Sequence, residues 1–270
     1  MQRLLFAGVA LCLLATTCLP AAEPVKLPPK KSLHLYLLVG QSNMAGRGKV
    51  EAPDKQPHPR VLMLNKQDEW VPAIDPLHFD KPAAGVGLGR SFASALAAAN
   101  PEITIGLVPC AVGGSPIDAW KPGVYYAPTK SHPWDDALRR AKLAQESGEF
   151  HGILWHQGES DCTDKLAPDY SAKLQALVKA FRHELGAELP FVIGQLGKFD
   201  GQPWNAARTA VDQAQRDLTK QLPHVAFVES TGLKPMADKV HFDAASCREF
   251  GQRYATVYLQ LVKEAKPVGK

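Results

Sequence analysis

Short apolar, partly β-branched runs recur along the chain at residues 34–39, 103–108, 150–156, 191–196 and 225–229. Each is of the kind buried on both faces of a parallel sheet. Between them, residues 88–99, 134–147, 169–185, 205–221 and 244–265 carry apolar positions at helical spacing. Strands alternating with helices over one domain length predict an α/β fold, a three-layer sandwich with a five-stranded parallel sheet and helices on both faces. Five strands suit a flavodoxin-like order, which the sequence alone leaves open.

Two stretches break the alternation. Residues 49–84 are rich in Pro, His and Asp, with a short extra strand predicted at 61–64, and residues 121–133 show no periodicity. Long loops in a compact domain are usually functional, so both are expected to wall a site. No internal repeat and no second domain is legible; residues 23–270 read as one domain.

Residues 1–22 are of another kind. A basic start, the apolar "LLFAGVALCLLA" and a small-residue end predict a secretory signal peptide cut near Ala21 or Ala22. Its apolar run is short of the roughly 20 residues a membrane span needs. The expectation is a secreted or periplasmic protein with no membrane attachment after signal removal; Cys18 fits a lipoprotein site poorly. The composition, 45% hydrophobic and 21% charged, is that of an ordinary globular domain. A net charge of +4 without basic blocks argues against nucleic acid as a partner. The mature chain keeps Cys110, Cys162 and Cys247, which allow one disulfide at most, and burial as small apolar side chains is an equal expectation. No metal-type spacing is present, and no cofactor is expected.

In an open parallel sheet, ligands bind outside the carboxyl ends of the strands. Four polar, glycine-rich segments fall there: "GQSN" after the first strand, "PCAVGGSPIDAW" after the second, "HQGESD" after the third, and "MADKVHFD" beyond the last. Ser42 is placed as an activated hydroxyl and His241 as its base. Asp238, three residues before His241, is the favoured orienting acid. Glu159, two residues past Gln157, is the alternative. A tetrahedral oxyanion would find donors in the Ser42 N–H, the N–H of Gly113 or Gly114, and the Gln157 side-chain amide. Gln41, Asn43, Arg47 and Trp120 are the candidate substrate contacts. Three of them also have a plainer reading: Asn43 shaping the turn, Arg47 pairing with an acid, Trp120 packing in the core. Ser42 itself would ordinarily be read as a helix cap. The glycines at 85, 87 and 89 follow no convincing strand, which makes a dinucleotide loop a poor reading.

These segments resemble the SGNH-hydrolase superfamily, and within it the sialate O-acetylesterase and acetylxylan-esterase group, carbohydrate esterase family 6. The resemblance rests on "GQSNMAG", "GGSPIDAW", "WHQGESD" and "DKVHF", with "VGLGRSFASAL" and "REFGQRYA" as further similar segments, in the expected order. Gln157 stands where the superfamily usually has Asn, a variant the resemblance associates with this group. It implies a serine hydrolase that removes acetyl groups from a glycan without a metal. Rival readings are a carbohydrate-binding protein that has lost turnover, and an esterase for another small acyl ester.

Overall fold

The computed structural model describes residues 25–186 and 188–265; the segment expected to be a signal peptide lies outside them. Seven strands form one sheet: β1 (Leu33–Gly40), β2 (Val61–Leu64), β3 (Trp70–Pro72), β4 (Thr104–Pro109), β5 (Glu149–His156), β6 (Phe191–Gly194) and β7 (Val225–Val228). Their order is β3-β2-β4-β1-β5-β6-β7. All neighbours are parallel except β3, which runs antiparallel to β2 at the edge.

The five expected strands are present, with the extra strand at 61–64, so the fold class stands while the sheet is wider than five. β3 has three part-exposed residues ending in Pro72. A proline lacks the N–H a central strand needs and is tolerated at a sheet edge, which leaves so short a strand without a sequence signature.

The helices are α1 (Ser42–Ala45), α2 (Gly89–Ala99), α3 (Pro133–Ser147), α4 (Tyr170–Leu185), α5 (Ala206–Gln221) and α6 (Ala244–Glu264). Alternate side chains of β1 serve two cores. Leu33, Leu35, Leu37 and Val39 pack with α3, α4 and α5, while Tyr36 and Leu38 pack with α2 and α6. Every residue of β1 except His34 is buried, as a central strand covered on both faces must be. The chain leaves β1 for strands on one side of it and returns to β5 on the other. The crevice at the carboxyl end of β1 is therefore the topological switch point, where α/β sheets place their ligands.

The three cysteines of the described residues are free thiols, with Cys247 buried and Cys110 and Cys162 half-buried. Among the described residues no helix is long and apolar enough to cross a membrane.

Candidate active site

At the end of β1 the chain must turn sharply against β5. Gly40 does so at φ +130°, where a Cβ would lie 2.1 Å from the His156 carbonyl oxygen. A glycine is required there on both counts. The Gln41 N–H then donates to that same oxygen at 2.8 Å, and Ser42 opens α1. Ser42 is 7% exposed. Its Oγ lies 2.9 Å from His241 Nε2, so the hydroxyl is directed across the crevice and not at the helix it begins.

His241 arrives from the far edge of the sheet. After β7 the chain folds back toward the centre, held by Met236 N–H donating to the His241 carbonyl at 2.7 Å and by a bridge between Pro235 and Phe242. Asp238 organises this loop. Its Oδ1 accepts the N–H groups of Val240 and His241 at 2.9 and 3.0 Å, and its Oδ2 lies 2.6 Å from His241 Nδ1. A carboxylate only accepts, so the ring proton sits on Nδ1 and the Nε2 lone pair faces Ser42. Partial burial pushes the Asp238 carboxyl up, but the hydrogen bonds from His241 and Val240 outweigh it and hold the group at about 2.

Glu159, the alternative acid, is bound elsewhere. Its Oε1 accepts from Asn43 Nδ2 at 2.6 Å and lies 3.5 Å from Nε2 of the fully buried His156. Burial raises its carboxyl, yet the neighbouring His156 and the Asn43 amide bring it down to about 2. Of the two acids, Asp238 is the one hydrogen-bonded to the His241 ring.

The expected oxyanion donors are rearranged. The Gly113 N–H donates to Asp80 Oδ2 at 2.8 Å, an oxygen that also takes Arg47 Nη2 at 2.7 Å. Gly113 is thus spent on a buried ion pair. Gly114, at φ +82°, has its carbonyl held by the Tyr126 hydroxyl at 2.7 Å and Ser160 Oγ at 2.9 Å. Its N–H has no acceptor among the described residues.

Gln157 is wholly buried, with Nε2 donating to Ser115 O at 3.1 Å, to Gln41 Oε1 at 3.3 Å and to Asp161. Its Oε1 accepts from the Tyr170 hydroxyl at 3.0 Å. That amide is committed to the interior and is not free to meet an oxyanion. What it does is hold Gln41, whose Oε1 also faces the N–H groups of Gly158 and Ser160. The Gln41 NH₂ group has no acceptor among the described residues and stands one residue from Ser42.

Two candidate substrate contacts are corrected in the same way. Arg47 has its guanidinium on the Gly46 carbonyl and Asp80, with a side chain 8% exposed. Trp120 is 2% exposed, edge-on to Trp155 at 5.3 Å, with Nε1 donating to Ser115 Oγ at 3.0 Å. An indole so enclosed has no face to offer a sugar. Asn43 bonds within the site, as described below. Asp80 was not legible as a site residue, because it comes from an irregular loop where no periodicity marks a side chain's direction. Tyr126 and Ser160, from the 121–133 stretch and the "HQGESD" segment, serve the site by holding the Gly114 carbonyl.

Residues 32–260 match the family described as carbohydrate esterase, sialic acid-specific acetylesterase. The chain belongs to that family. It is 31% identical over 255 residues to the probable carbohydrate esterase At4g34215 of Arabidopsis thaliana, an alignment covering 86% of this chain and 92% of the relative. The X-ray structure of that plant protein superposes with a TM-score of 0.75, covering 86% of this chain and 99% of that one. Two more distant structures share the fold. NanS aligns at 19% identity, TM-score 0.70, over 88% of this chain and 100% of its own. XAC1771, a carbohydrate acetylesterase of Xanthomonas citri, aligns at 21% identity, TM-score 0.63, over 85% of this chain and 57% of its own. The α/β fold and the carbohydrate-esterase family expected from the sequence are both found.

Proposed function

We propose that the chain is an exported serine esterase that removes O-acetyl groups from a glycan of the xylan or sialate kind through an acetyl-enzyme. The observation that carries the reading is the hydrogen-bonded series Ser42 Oγ, His241 Nε2, His241 Nδ1, Asp238 Oδ2, at 2.9 and 2.6 Å. The family match and the Arabidopsis relative support an acetylated carbohydrate as the substrate.

Ser42 Oγ attacks the acetyl carbonyl carbon as His241 Nε2 takes the hydroxyl proton, and the carbonyl π pair moves onto oxygen. Asp238 stabilises the imidazolium so formed. The tetrahedral intermediate collapses, the C–O bond to the sugar breaks, and His241 returns the proton to the departing sugar oxygen. Water then attacks the acetyl-Ser42 carbonyl with His241 as base, and acetate leaves. For the oxyanion we assign the N–H groups of Ser42 and Gly114 and the free amide of Gln41, with Gln157 supporting Gln41 from behind. Losing one such donor typically costs about 3 kcal/mol of barrier.

The test is Ser42→Ala assayed with 4-nitrophenyl acetate and with acetylated glycans, its fold checked by circular dichroism. The expected result is a folded protein without hydrolysis, and an acetyl group found on Ser42 of the wild type after rapid acid quench. Wild-type turnover in the variant would sink the reading.

A further inference from the structure

The base of this site stands on a loop that is exposed on its outer side and whose own hydrogen bonds, through Asp238 and between Met236 and His241, fix its shape but do not tie it to the Ser42 turn. Val240 is 43% exposed, the Asp238 side chain is 45% exposed, and Lys239 between them sits at φ +59°. Yet His241 Nε2 must meet first Ser42 and then a water in nearly the same place within one turnover, and small misplacements are costly.

Asn43, next to the nucleophile position, is 2% exposed and grips the backbone on both sides of His241. Its Nδ2 donates to the Val240 carbonyl at 3.2 Å, and its Oδ1 accepts the Phe242 N–H at 3.2 Å. The remaining amide proton goes to Glu159 Oε1 at 2.6 Å. Because an ionised carboxylate accepts and never donates, Glu159 determines which end of the Asn43 amide faces which way. Reversed, the amide would set oxygen against a carboxylate and a carbonyl, and NH₂ against an N–H. All three of the amide's bonds are therefore made in one orientation only. Behind Glu159 stands the buried His156, with Nε2 3.5 Å from Glu159 Oε1 and Nδ1 3.4 Å from the Tyr254 hydroxyl.

We infer that Asn43 and Glu159 are positioning residues for the general base: Glu159 locks the Asn43 amide, and Asn43 ties the His241 loop to the Ser42 turn so that base and nucleophile move as one body. This deepens the serine-esterase reading and rests on it. The pair touches neither the acetyl group nor the reacting atoms, so its contribution falls on kcat and not on KM.

The experiment measures kcat and KM for 4-nitrophenyl acetate against pH, on the full chain, for wild type, Ser42→Ala, Glu159→Gln, Asn43→Asp and the double variant Asn43→Asp/Glu159→Gln. Thermal unfolding is followed in parallel. Glu159→Gln is isosteric but free to turn its amide either way, and its kcat is expected to fall on the order of 10²-fold with KM nearly unchanged. Asn43→Asp sets two carboxylates against each other, which can coexist only by sharing a proton. Its kcat should fall as pH rises and that proton is lost, a dependence absent from wild type. The double variant restores a donor against an acceptor and should recover about tenfold of the kcat lost in Asn43→Asp, while abolishing the added pH dependence. Wild-type kcat in Glu159→Gln, or a double variant no better than Asn43→Asp, overturns the inference. Should Asn43→Asp fail to fold, the Glu159→Gln kcat decides alone. Turnover by Ser42→Ala would remove the serine reading and the inference with it. Undiminished Glu159→Gln beside an inactive Ser42→Ala removes the inference only.

Discussion

Ser42 Oγ and His241 Nε2 lie 2.9 Å apart although 199 positions separate them in the chain. The first sits on the central strand's turn, and the second reaches it from a loop that begins at the opposite edge of the sheet. Within that loop Asp238 accepts both the ring N–H of His241 and two backbone N–H groups. One carboxylate thus sets the loop's shape and the ring's tautomer together.

Asp238→Asn should expose that double role. The amide accepts as well as donates, so His241 can turn its protonated nitrogen toward Ser42 and lose the base function proposed for it. The expected loss of kcat is on the order of 10³-fold or more. Steady-state kinetics beside the roughly 10²-fold loss expected of Glu159→Gln ranks the two acids. An equal effect for both would contradict their different partners.

Gln41 and Gln157 should separate cleanly. Gln41→Ala removes a free donor beside Ser42, and kcat is expected to fall about 10²–10³-fold with the unfolding midpoint little changed. Gln157→Ala leaves Ser115 O without its buried donor, at about 1–3 kcal/mol of stability, and takes one bond each from Asp161 and the Tyr170 hydroxyl, which keep the Ile117 N–H and the residue-157 carbonyl. Chemical denaturation and kinetics of the same two variants check the assignment. A stable, inactive Gln157→Ala with an active Gln41→Ala would reverse it.

Trp120→Ala tests packing against sugar stacking. A buried indole against Trp155 predicts a loss of about 3–5 kcal/mol in unfolding free energy. KM for an acetylated glycan should stay near wild type in the fraction that folds. A raised KM with unchanged stability would return Trp120 to the substrate side.

Acid should destabilise the protein partly through Glu159. Its carboxyl titrates at about 2 in the folded chain and at an ordinary 4.5 when unfolded. The native state therefore binds fewer protons than the unfolded state between those values. Its stabilisation is complete above the higher one and is lost as pH falls through the lower. Asp238 acts in the same direction from 3.8 to about 2, with a smaller effect because it is more exposed. Thermal midpoints should fall across this interval in wild type and fall less steeply in Glu159→Gln.

The regular elements were legible because burial writes periodicity into the chain. β1, β4 and β5 read as apolar runs, α2 to α6 as helical spacing, and observed ends differ from expectation by only a residue or two at most boundaries. The edge strand β3 carried no such mark, being short and part-exposed. The motif positions of Ser42, the Gly113–Gly114 pair, Asp238 and His241 were readable too, since each follows a strand or closes a compact D-x-x-H spacing. Their partners were not. Gly113 and Gly114 are identical neighbours in the sequence, and only the approach of Asp80 from a loop with no periodicity takes the N–H of one and leaves the other free. Likewise two glutamines border the site, and the fold buries Gln157 as the support that leaves the Gln41 amide open. By itself the sequence determined the layers, the strand ends and the residue types that can do acyl chemistry, because these depend on local pattern. The tertiary structure decided which donor is spent and which is free, because a hydrogen bond is a matter of distance and direction between side chains that the chain order does not bring together.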